Sequence, residues 1–365
     1  MPQDVTNVRV PPSFVKTNNA CPGGDVSISA RVESLRQLLR KAKLAAFIVP
    51  STDPHQSEYT PAYWQRRQFM SGFTGSVGDL VVTLEDARLW TDSRYFLQAE
   101  EQLKGTPITM MGLGLPGVPT LESWIASTLE KGDVVGIDPQ LVSIDGLQRL
   151  KNALKPSGAK VKLLRKNLVD EVWGEERPDA PSGPLVAHPT KYAGSAVSAK
   201  LKKLRKLLVA KEADALVVTR LDEVAWTFNA RGTDVDFTPV CISYGLVTTD
   251  EAILFVDPSK VTAKVKRSLG KSVTVEAYED LPKKLRALGK EKKKVWVDSS
   301  SASAWIAEAL RGAELLKQAC PIASMKARKN AVELDGIREA HIREGAALVR
   351  FFSWLDKAVK KSRQP

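Results

Sequence analysis

The chain has 365 residues and a net charge of +12, with 54 Lys and Arg against 42 Asp and Glu. This length suits two or three domains, each large enough to bury a core. The three cysteines, Cys21, Cys241 and Cys320, have no close spacing, which excludes a disulfide framework and a structural zinc cluster.

The first segment, residues 1–27, is rich in Pro and Asn and is predicted to be a disordered tail. It lacks the apolar core of a secretory signal and has too few arginines for a transit peptide. No later apolar run approaches the roughly 20 residues that a membrane-spanning helix needs. We therefore expect a cytoplasmic protein with no membrane partner.

The same order of patterns occurs twice in the rest of the chain. A basic amphipathic helix and the apolar strand Ala45 to Val49 recur as a second basic helix and the strand Ala215 to Val218. The segments SGFTG and FNARG follow at matching places. Each copy then closes with a strand that ends on an acidic residue, Asp138 or Asp298, followed by a helix. The repeat predicts a duplicated α/β domain.

The predicted boundaries follow from this repeat. Domain I covers residues 28–165 and domain II covers residues 191–327. The intervening residues 166–190 are predicted to be a linker, because four prolines crowd its second half.

The positive charge is spread through helices and short runs. In the densest run, from Lys200 to Glu212, Leu201, Leu204 and Leu208 form one apolar stripe and the lysines cover the remaining surface. This pattern indicates a solvated helix face. No aromatic residues are interleaved for base stacking, so we predict no nucleic-acid partner. Salt-sensitive retention on DNA would favour the alternative, a basic nucleic-acid-binding protein.

The last segment, residues 328–365, is predicted to be one long helix. Asn330, followed three residues later by Glu333, matches a capping box. The apolar residues at helical spacing are Ile337, Leu348, Phe352, Leu355 and Val359. This stripe needs a partner, and Phe352 and Leu355 offer a contact for a nonphysiological dimer.

Candidate metal and catalytic residues are few. The three histidines, His55, His188 and His341, are scattered, whereas a two-metal hydrolytic site needs clustered carboxylates and usually His. Asp234 and Asp236 would face the same side of a strand, but no His or third carboxylate accompanies them. We therefore predict no catalytic residue, no metal ligand and no cofactor in this chain.

Asp92 and Arg94 lie between aromatic residues, where a strand is predicted to end and a helix to begin. Such junctions commonly carry groups that face a ligand or a neighbouring surface. A plain surface ion pair would contribute less than about 1 kcal/mol. Alternatively, Asp92 holds the guanidinium in position for forked hydrogen bonds to carboxylate or carbonyl oxygens, which lysine cannot copy.

Five stretches in a fixed order resemble a known family. They are IVPSTDPHQSEYTPAYWQRRQFMSGFTGSVG, WTDSRYFLQAEEQL, LVDEVWGEERP, LDEVAWTFNARGTDVDFTPV and VELDGIREAHIREGAALVRFFSWL. They are similar to the cytosolic three-domain Xaa-Pro aminopeptidases, or aminopeptidase P, of the creatinase and methionine-aminopeptidase superfamily. The resemblance implies two tandem creatinase-like (ribonuclease H-like) α/β domains with mixed sheets, followed by a pita-bread catalytic domain. That catalytic domain holds two divalent metals, usually manganese, through two Asp, one His and two Glu, and removes an N-terminal residue that precedes proline.

The chain departs from the family pattern after its last helix. Residues 328–365 are similar to the first helix of the catalytic domain, and no family metal ligand follows. The chain is therefore expected to be the noncatalytic N-terminal part of such an enzyme and to be inactive alone, with manganese, peptide substrate and a homodimer belonging to the complete enzyme. A natural noncatalytic protein of the same family that binds a peptide or another partner is the alternative.

The resemblance also implies candidate binding residues. Arg94 is similar to an arginine that the first domain lends to the catalytic cleft, where it contacts substrate. His55, Asp92 and Arg231 are further candidates for substrate contact. In NARGTD, Asn229, Arg231 and Asp234 are expected to line the inner face of domain II. For His55, a loop with internal hydrogen bonds is the competing interpretation.

Overall fold

The computed structural model describes residues 27–362, so the predicted tail lies outside the described residues except for its last residue. That residue, Ser27, begins the first helix, because its hydroxyl oxygen accepts a hydrogen bond from the N–H of Ala30. The described chain forms two α/β domains and a long final helix.

The first domain is a six-stranded sheet with helices on both faces. Its helices are α1 (Ile28–Ala42), α2 (Arg66–Ser71), α3 (Phe96–Gln102), α4 (Leu121–Thr128), α5 (Ile144–Leu154) and α6 (Leu168–Trp173). Its strands are β1 (Ala46–Val49), β2 (Asp79–Thr83), β3 (Ala87–Thr91), β4 (Thr109–Gly112), β5 (Val134–Ile137) and β6 (Lys160–Leu163). The strand order is β4-β3-β2-β1-β5-β6, with β2 antiparallel to both of its neighbours and β1, β5 and β6 parallel.

The second domain repeats this topology. Its helices are α7 (Thr190–Ala193), α8 (Val197–Ala210), α9 (Leu221–Thr227), α10 (Ala263–Leu269), α11 (Leu281–Lys290), α12 (Ala304–Ala309) and α13 (Pro321–Ala327). Its strands are β7 (Val186–Ala187), β8 (Ala215–Val218), β9 (Ala230–Arg231), β10 (Ser243–Thr248), β11 (Ala252–Val256), β12 (Thr274–Glu276), β13 (Lys294–Val297) and β14 (Glu314–Lys317). The main sheet has the order β12-β11-β10-β8-β13-β14, and β7 pairs with β9. The predicted duplication of a mixed α/β fold is confirmed.

Alternating side chains of each central strand enter two separate cores, because both faces of each sheet are covered. In β1, Phe47 and Val49 pack with α1. Ala46 and Ile48 point the other way and pack with α4 and α5. All four residues of β1 are buried, as the continuous apolar run in the sequence predicts.

The segment between the domains is more structured than a linker. The side-chain oxygen of Asn167 caps α6 by accepting from the N–H of Val169 at 3.0 Å. Val169 and Trp173, four residues apart on α6, are buried in the core of the first domain. That domain therefore extends beyond residue 165, because an amphipathic turn precedes the prolines. Strand β7 belongs to the second domain, since it pairs with β9.

Backbone hydrogen bonds join the two domains. They connect residues 138–145, which follow β5, with residues 298–305, which follow β13. Two of them are reciprocal, from Ile144 N–H to Ala302 O at 2.9 Å and from Ala304 N–H to Val142 O at 2.8 Å. The segments that follow the equivalent strands β5 and β13 therefore contact each other across the domain boundary.

The final helix, α14 (Ala331–Ser362), begins with the predicted capping box. The Glu333 N–H donates to Asn330 Oδ1 at 3.0 Å, and the Asn330 N–H donates to Glu333 Oε2 at 2.9 Å. The predicted apolar stripe is exposed along the helix. Within residues 27–362, no helix combines the length and apolar character needed to cross a bilayer.

Candidate functional site

The segment that carries Arg94 is the expected junction between a strand and a helix. Strand β3 ends at Thr91, and a 3₁₀ turn, Ser93–Tyr95, leads into α3. The turn begins at Asp92, because its Oδ1 accepts a hydrogen bond from the N–H of Arg94 at 3.1 Å. The Asp92 carboxylate therefore fixes the backbone of the residue whose side chain it also holds.

The Arg94 guanidinium is fixed but open to solvent. Its Nε and Nη2 donate to the two oxygens of Asp92 at 3.0 and 2.8 Å. The side chain is 60% exposed, and Nη1 has no hydrogen-bond partner among the described residues. The paired hydrogen bonds raise the pKa of Arg94 and lower the pKa of Asp92. The site therefore presents a permanent, oriented cation to the solvent.

A cavity of about 450 Å³ opens beside this turn and is shared by the two domains. Its walls include Tyr59 and Tyr95 from the first domain and Phe237 from the second. Phe237 has a φ of 58°, a left-handed backbone that is uncommon for an aromatic residue, and its side chain is 97% exposed. No sequence pattern singles out Phe237, because neither its backbone angle nor its neighbour across the domain boundary is encoded locally.

His55 lies in the interface between the domains. Its ring Nδ1 is 2.8 Å from the carbonyl oxygen of Thr219, and its Nε2 is 2.9 Å from the hydroxyl of Tyr278. The ring also packs at a tilt against Tyr244, with 4.2 Å between the ring centroids, and burial lowers the pKa of His55. The loop has internal hydrogen bonds as well, since Asp53 Oδ1 accepts from the His55 N–H. Both ring nitrogens are thus occupied across the boundary, and in this arrangement neither is available to a ligand.

Asn229 and Arg231 make contacts within the second domain. Arg231 Nη1 donates to the carbonyl oxygens of Ala225 and Ala230 at 2.9 and 2.8 Å. Asn229 is buried and accepts from Lys200 Nζ at 2.6 Å. The prediction that the lysines of α8 are solvated is therefore wrong for Lys200, because backbone and side-chain oxygens around its ammonium replace water.

The two aspartates weighed as a metal pair are separated by their environments. Asp234 is buried, and its Oδ2 accepts from Lys260 Nζ and from the Ile242 N–H, both at 2.7 Å. Asp236 is exposed. Among the residues that the structure describes, no group of three or more His, Cys, Asp or Glu side chains is placed to hold a metal. These residues therefore do not fit a two-metal centre.

Two family models match the chain. Residues 31–168 match one described as the creatinase/prolidase N-terminal domain, and residues 176–333 match a second with the same description. The chain belongs to the creatinase/prolidase N-terminal domain family. Its two creatinase-type domains coincide with the two sheets described above.

The predicted resemblance to aminopeptidase P is confirmed by individual relatives. A probable Xaa-Pro aminopeptidase P from Penicillium rubens is 41% identical over 91% of this chain, and the match covers 55% of that relative. One from Coprinopsis cinerea is 39% identical over 93% of this chain and 57% of its own length. The chain therefore spans about half the length of the curated relatives it matches.

A solved structure shares the arrangement of both domains. It is an X-prolyl aminopeptidase from Caenorhabditis elegans, described as a cytosolic enzyme with a di-nuclear active site. It is 33% identical to this chain and superposes with a TM-score of 0.86 over 91% of this chain and 56% of its own. This creatinase-type pair of domains is thus similar to one part of a larger enzyme.

Proposed function

We propose that this chain is the noncatalytic N-terminal part of a metal-dependent Xaa-Pro aminopeptidase and that Arg94 contacts the peptide substrate. The single observation that supports this role is the geometry of Arg94. Its guanidinium is held at two points by Asp92, yet it remains 60% exposed and keeps Nη1 unused among the described residues. The similarity to aminopeptidase P over 91% of the chain supports the choice of a peptide ligand.

Arg94 suits a peptide because of its hydrogen-bonding geometry. A short peptide ends in a carboxylate and presents backbone carbonyl oxygens, and a planar guanidinium binds such oxygens through parallel N–H groups. Asp92 is a positioning residue in this proposal, since it orients the guanidinium before the peptide arrives. Prior orientation reduces the entropy lost on binding.

The remaining candidates have supporting roles in this proposal. His55 fixes the first domain against the second, which sets where Arg94 faces. Arg231 holds carbonyl oxygens of the segment from Ala225 to Ala230 in the second domain. Either residue influences the peptide through the shape of the site.

Hydrolysis would require the divalent metals of a complete enzyme, for which we propose manganese. Bound metals would activate water and polarise the peptide carbonyl. We therefore propose that this chain alone does not release the N-terminal residue from an Arg-Pro-Pro peptide in the presence of Mn²⁺. A cytoplasmic location and a homodimer are proposed for the complete enzyme, in line with the description of the C. elegans relative as cytosolic.

Calorimetric titration with Ala-Pro-Pro and with its C-terminal amide tests the role of Arg94. We expect the unchanged chain to bind the acid weakly and Arg94→Lys to bind it about tenfold more weakly. For the amide, the same substitution should reduce the affinity by less. Arg338→Lys is the control, because Arg338 forms an exposed ion pair with Asp335 on α14. Equal affinity of Arg94→Lys and the unchanged chain would overturn the proposal. Micromolar binding by the chain alone would instead favour a natural peptide-binding protein.

A further inference from the structure

A second cavity, of about 440 Å³, lies in the first domain, and Arg94 is not among the residues that line it. It opens where β1 and β5 end, and the first turns of α4 and α5 close its sides. Ligands of open α/β sheets commonly bind at such carboxyl ends of parallel strands. Its volume falls within the range of small-molecule sites. Val142 and Ser143 of its lining belong to the segment that contacts the second domain, so the cavity borders the interface between the domains.

The cavity combines an apolar wall with two carboxylates. The apolar residues that line it include Ile48, Trp90, Ile137, Leu141 and Leu150. Asp79 enters from the first residue of β2, and Glu122 from the first turn of α4. Arg149 is the one cation in the lining, and its Nε stands 3.9 Å from Glu122 Oε1. Asp79 thus faces the cavity without a direct ion-pair partner among the described residues.

The Asp79 carboxylate is costly to keep charged in this position. Burial raises its pKa, and the nearby charge of Glu122 raises it further. The Ser51 N–H, which donates to Oδ1 at 3.1 Å, and the charge of Arg67 oppose this effect. Arg67 is itself engaged with the carbonyl oxygens of Phe73 and Gly75. A bound cation would relieve the repulsion between the two carboxylates.

The duplicated domain supplies an internal control for this cavity. In the first sheet Val49 pairs with Leu80, and in the second Val218 pairs with Gly245, so Asp79 and Tyr244 occupy the same position one residue earlier. Tyr244 stacks on Tyr278 with 5.2 Å between ring centroids and packs at a tilt against His55 at 4.2 Å, so aromatic rings are packed at this position. The first copy has a carboxylate and an open cavity where the second copy has packed aromatic rings.

We propose that this cavity binds a small primary amine with a short apolar body, its ammonium group lying between Asp79 and Glu122. The ammonium donates charge-assisted hydrogen bonds to the carboxylates, and the apolar body packs against Trp90 and the aliphatic wall. A neutral ligand of the same shape would leave the two carboxylates unrelieved. An anion would meet these two carboxylates against the single cation Arg149 and is expected to bind more weakly than the amine.

Calorimetry with 2-phenylethylamine and with its neutral analogue 2-phenylethanol tests the proposal on the unmodified chain. We expect saturable one-site binding of the amine, with affinity for the alcohol lower by about tenfold or more, equivalent to about 1.4 kcal/mol. Hydrogen exchange should slow in residues 77–83 when the amine binds. Absence of saturable amine binding, or equal binding of the alcohol, would overturn the proposal.

Two variants test whether the amine binds at Asp79 and Glu122. Asp79→Asn keeps an oxygen for the Ser51 N–H and removes the charge, and Glu122→Gln changes a half-buried position in α4. Each should weaken amine binding about tenfold. Asp86→Asn is the control, because Asp86 pairs with Arg88 at the surface of the same domain. Unchanged amine affinity in both test variants would place any binding elsewhere and contradict the proposal.

Discussion

Asp79 and Tyr244 stand at the same position in two copies of one fold, and their surroundings have diverged. Asp79 faces a cavity of about 440 Å³, whereas Tyr244 is buried in a stack with His55 and Tyr278. The cause lies in the length of the segment that follows the first strand of each domain. In the first domain residues 50–65 separate β1 from α2, and this long segment carries His55 into the second domain.

The second domain has no comparable segment. Thr219 and Arg220 alone separate β8 from α9, so nothing extends from there to fill the first domain's cavity. The two domains thus have equivalent strands β1 and β8, but only the loop after β1 is long enough to reach the other domain. At the shared position the second copy has packed aromatic rings, and the first copy has a carboxylate that faces a cavity. Four substitutions test this difference, in decreasing order of expected effect.

Replacing the residue at the shared position should reduce the free energy of unfolding far more in the second domain than in the first. Tyr244→Asp would remove a ring from the stack and bury a carboxylate without a counterion, and we expect a loss of more than about 4 kcal/mol in the free energy of unfolding. Denaturant titration measures it. Tyr244→Phe should keep the ring and lose the hydroxyl, which donates to Pro54 O and lies beside Tyr278, at a cost of about 1 kcal/mol. Similar losses in the two variants would mean that the stack is not closely packed.

Glu223 is a buried carboxyl of the second domain that lines a cavity of about 400 Å³ together with Lys326 and Lys329. Its side chain is 2% exposed, and burial raises its pKa from 4.5 to about 7. Between these values the folded chain binds more protons than the unfolded chain, so stability falls as the pH rises through this window. Glu223→Gln should remove that loss. Its free energy of unfolding should therefore rise relative to that of the unchanged chain between pH 4.5 and 8, by up to about 3 kcal/mol.

Chemical unfolding at several pH values measures this difference. Glu308→Gln, on the exposed side of α12 in the same domain, is the control and should change the free energy of unfolding at pH 7 by less than about 0.5 kcal/mol. A pH profile for Glu223→Gln that parallels the unchanged chain would contradict the assignment.

His55→Phe removes the polar contacts of the crossing loop and keeps a ring of similar size. Thr219 O and Tyr278 OH would lose their partners, and we expect a loss of about 2 kcal/mol at pH 8. Burial lowers the pKa of His55 below its ordinary 6.5, so the unfolded chain takes up the proton first and the contribution of His55 declines as the pH falls below 6.5. The difference in unfolding free energy between His55→Phe and the unchanged chain should therefore narrow in acid.

Asp79→Asn should have the smallest effect on stability, less than about 1 kcal/mol, because the amide keeps the Ser51 contact and faces open space. The loss in the free energy of unfolding would then be several-fold smaller for Asp79→Asn than for Tyr244→Asp. Thermal unfolding at pH 7 measures the change. A large loss for Asp79→Asn would show that the carboxylate stabilises the first domain, and the contrast with Tyr244 would disappear.

Local sequence patterns predict the repeated helices and strands, the capping box at Asn330 and the junction at Asp92, because each depends on residues within one or two turns. The surroundings of His55 could not be predicted, since Thr219 and Tyr278 are 164 and 223 residues away. Lys200 shows the same limit. Its place in a lysine-rich run suggests solvent, and only the fold brings Trp226 O and Asn229 to its ammonium.

The reciprocal hydrogen bonds between residues 138–145 and 298–305 join main-chain atoms, and one side-chain hydrogen bond, from Ser299 Oγ to Asp145 Oδ2 at 3.1 Å, accompanies them. Main-chain contacts of this kind survive most substitutions, since every residue except proline supplies the same donor and acceptor. The two halves could therefore change side chains at a shared site, as at Asp79 and Tyr244, without losing their mutual alignment. Because both domains retain this main-chain geometry, each is free to evolve a separate function.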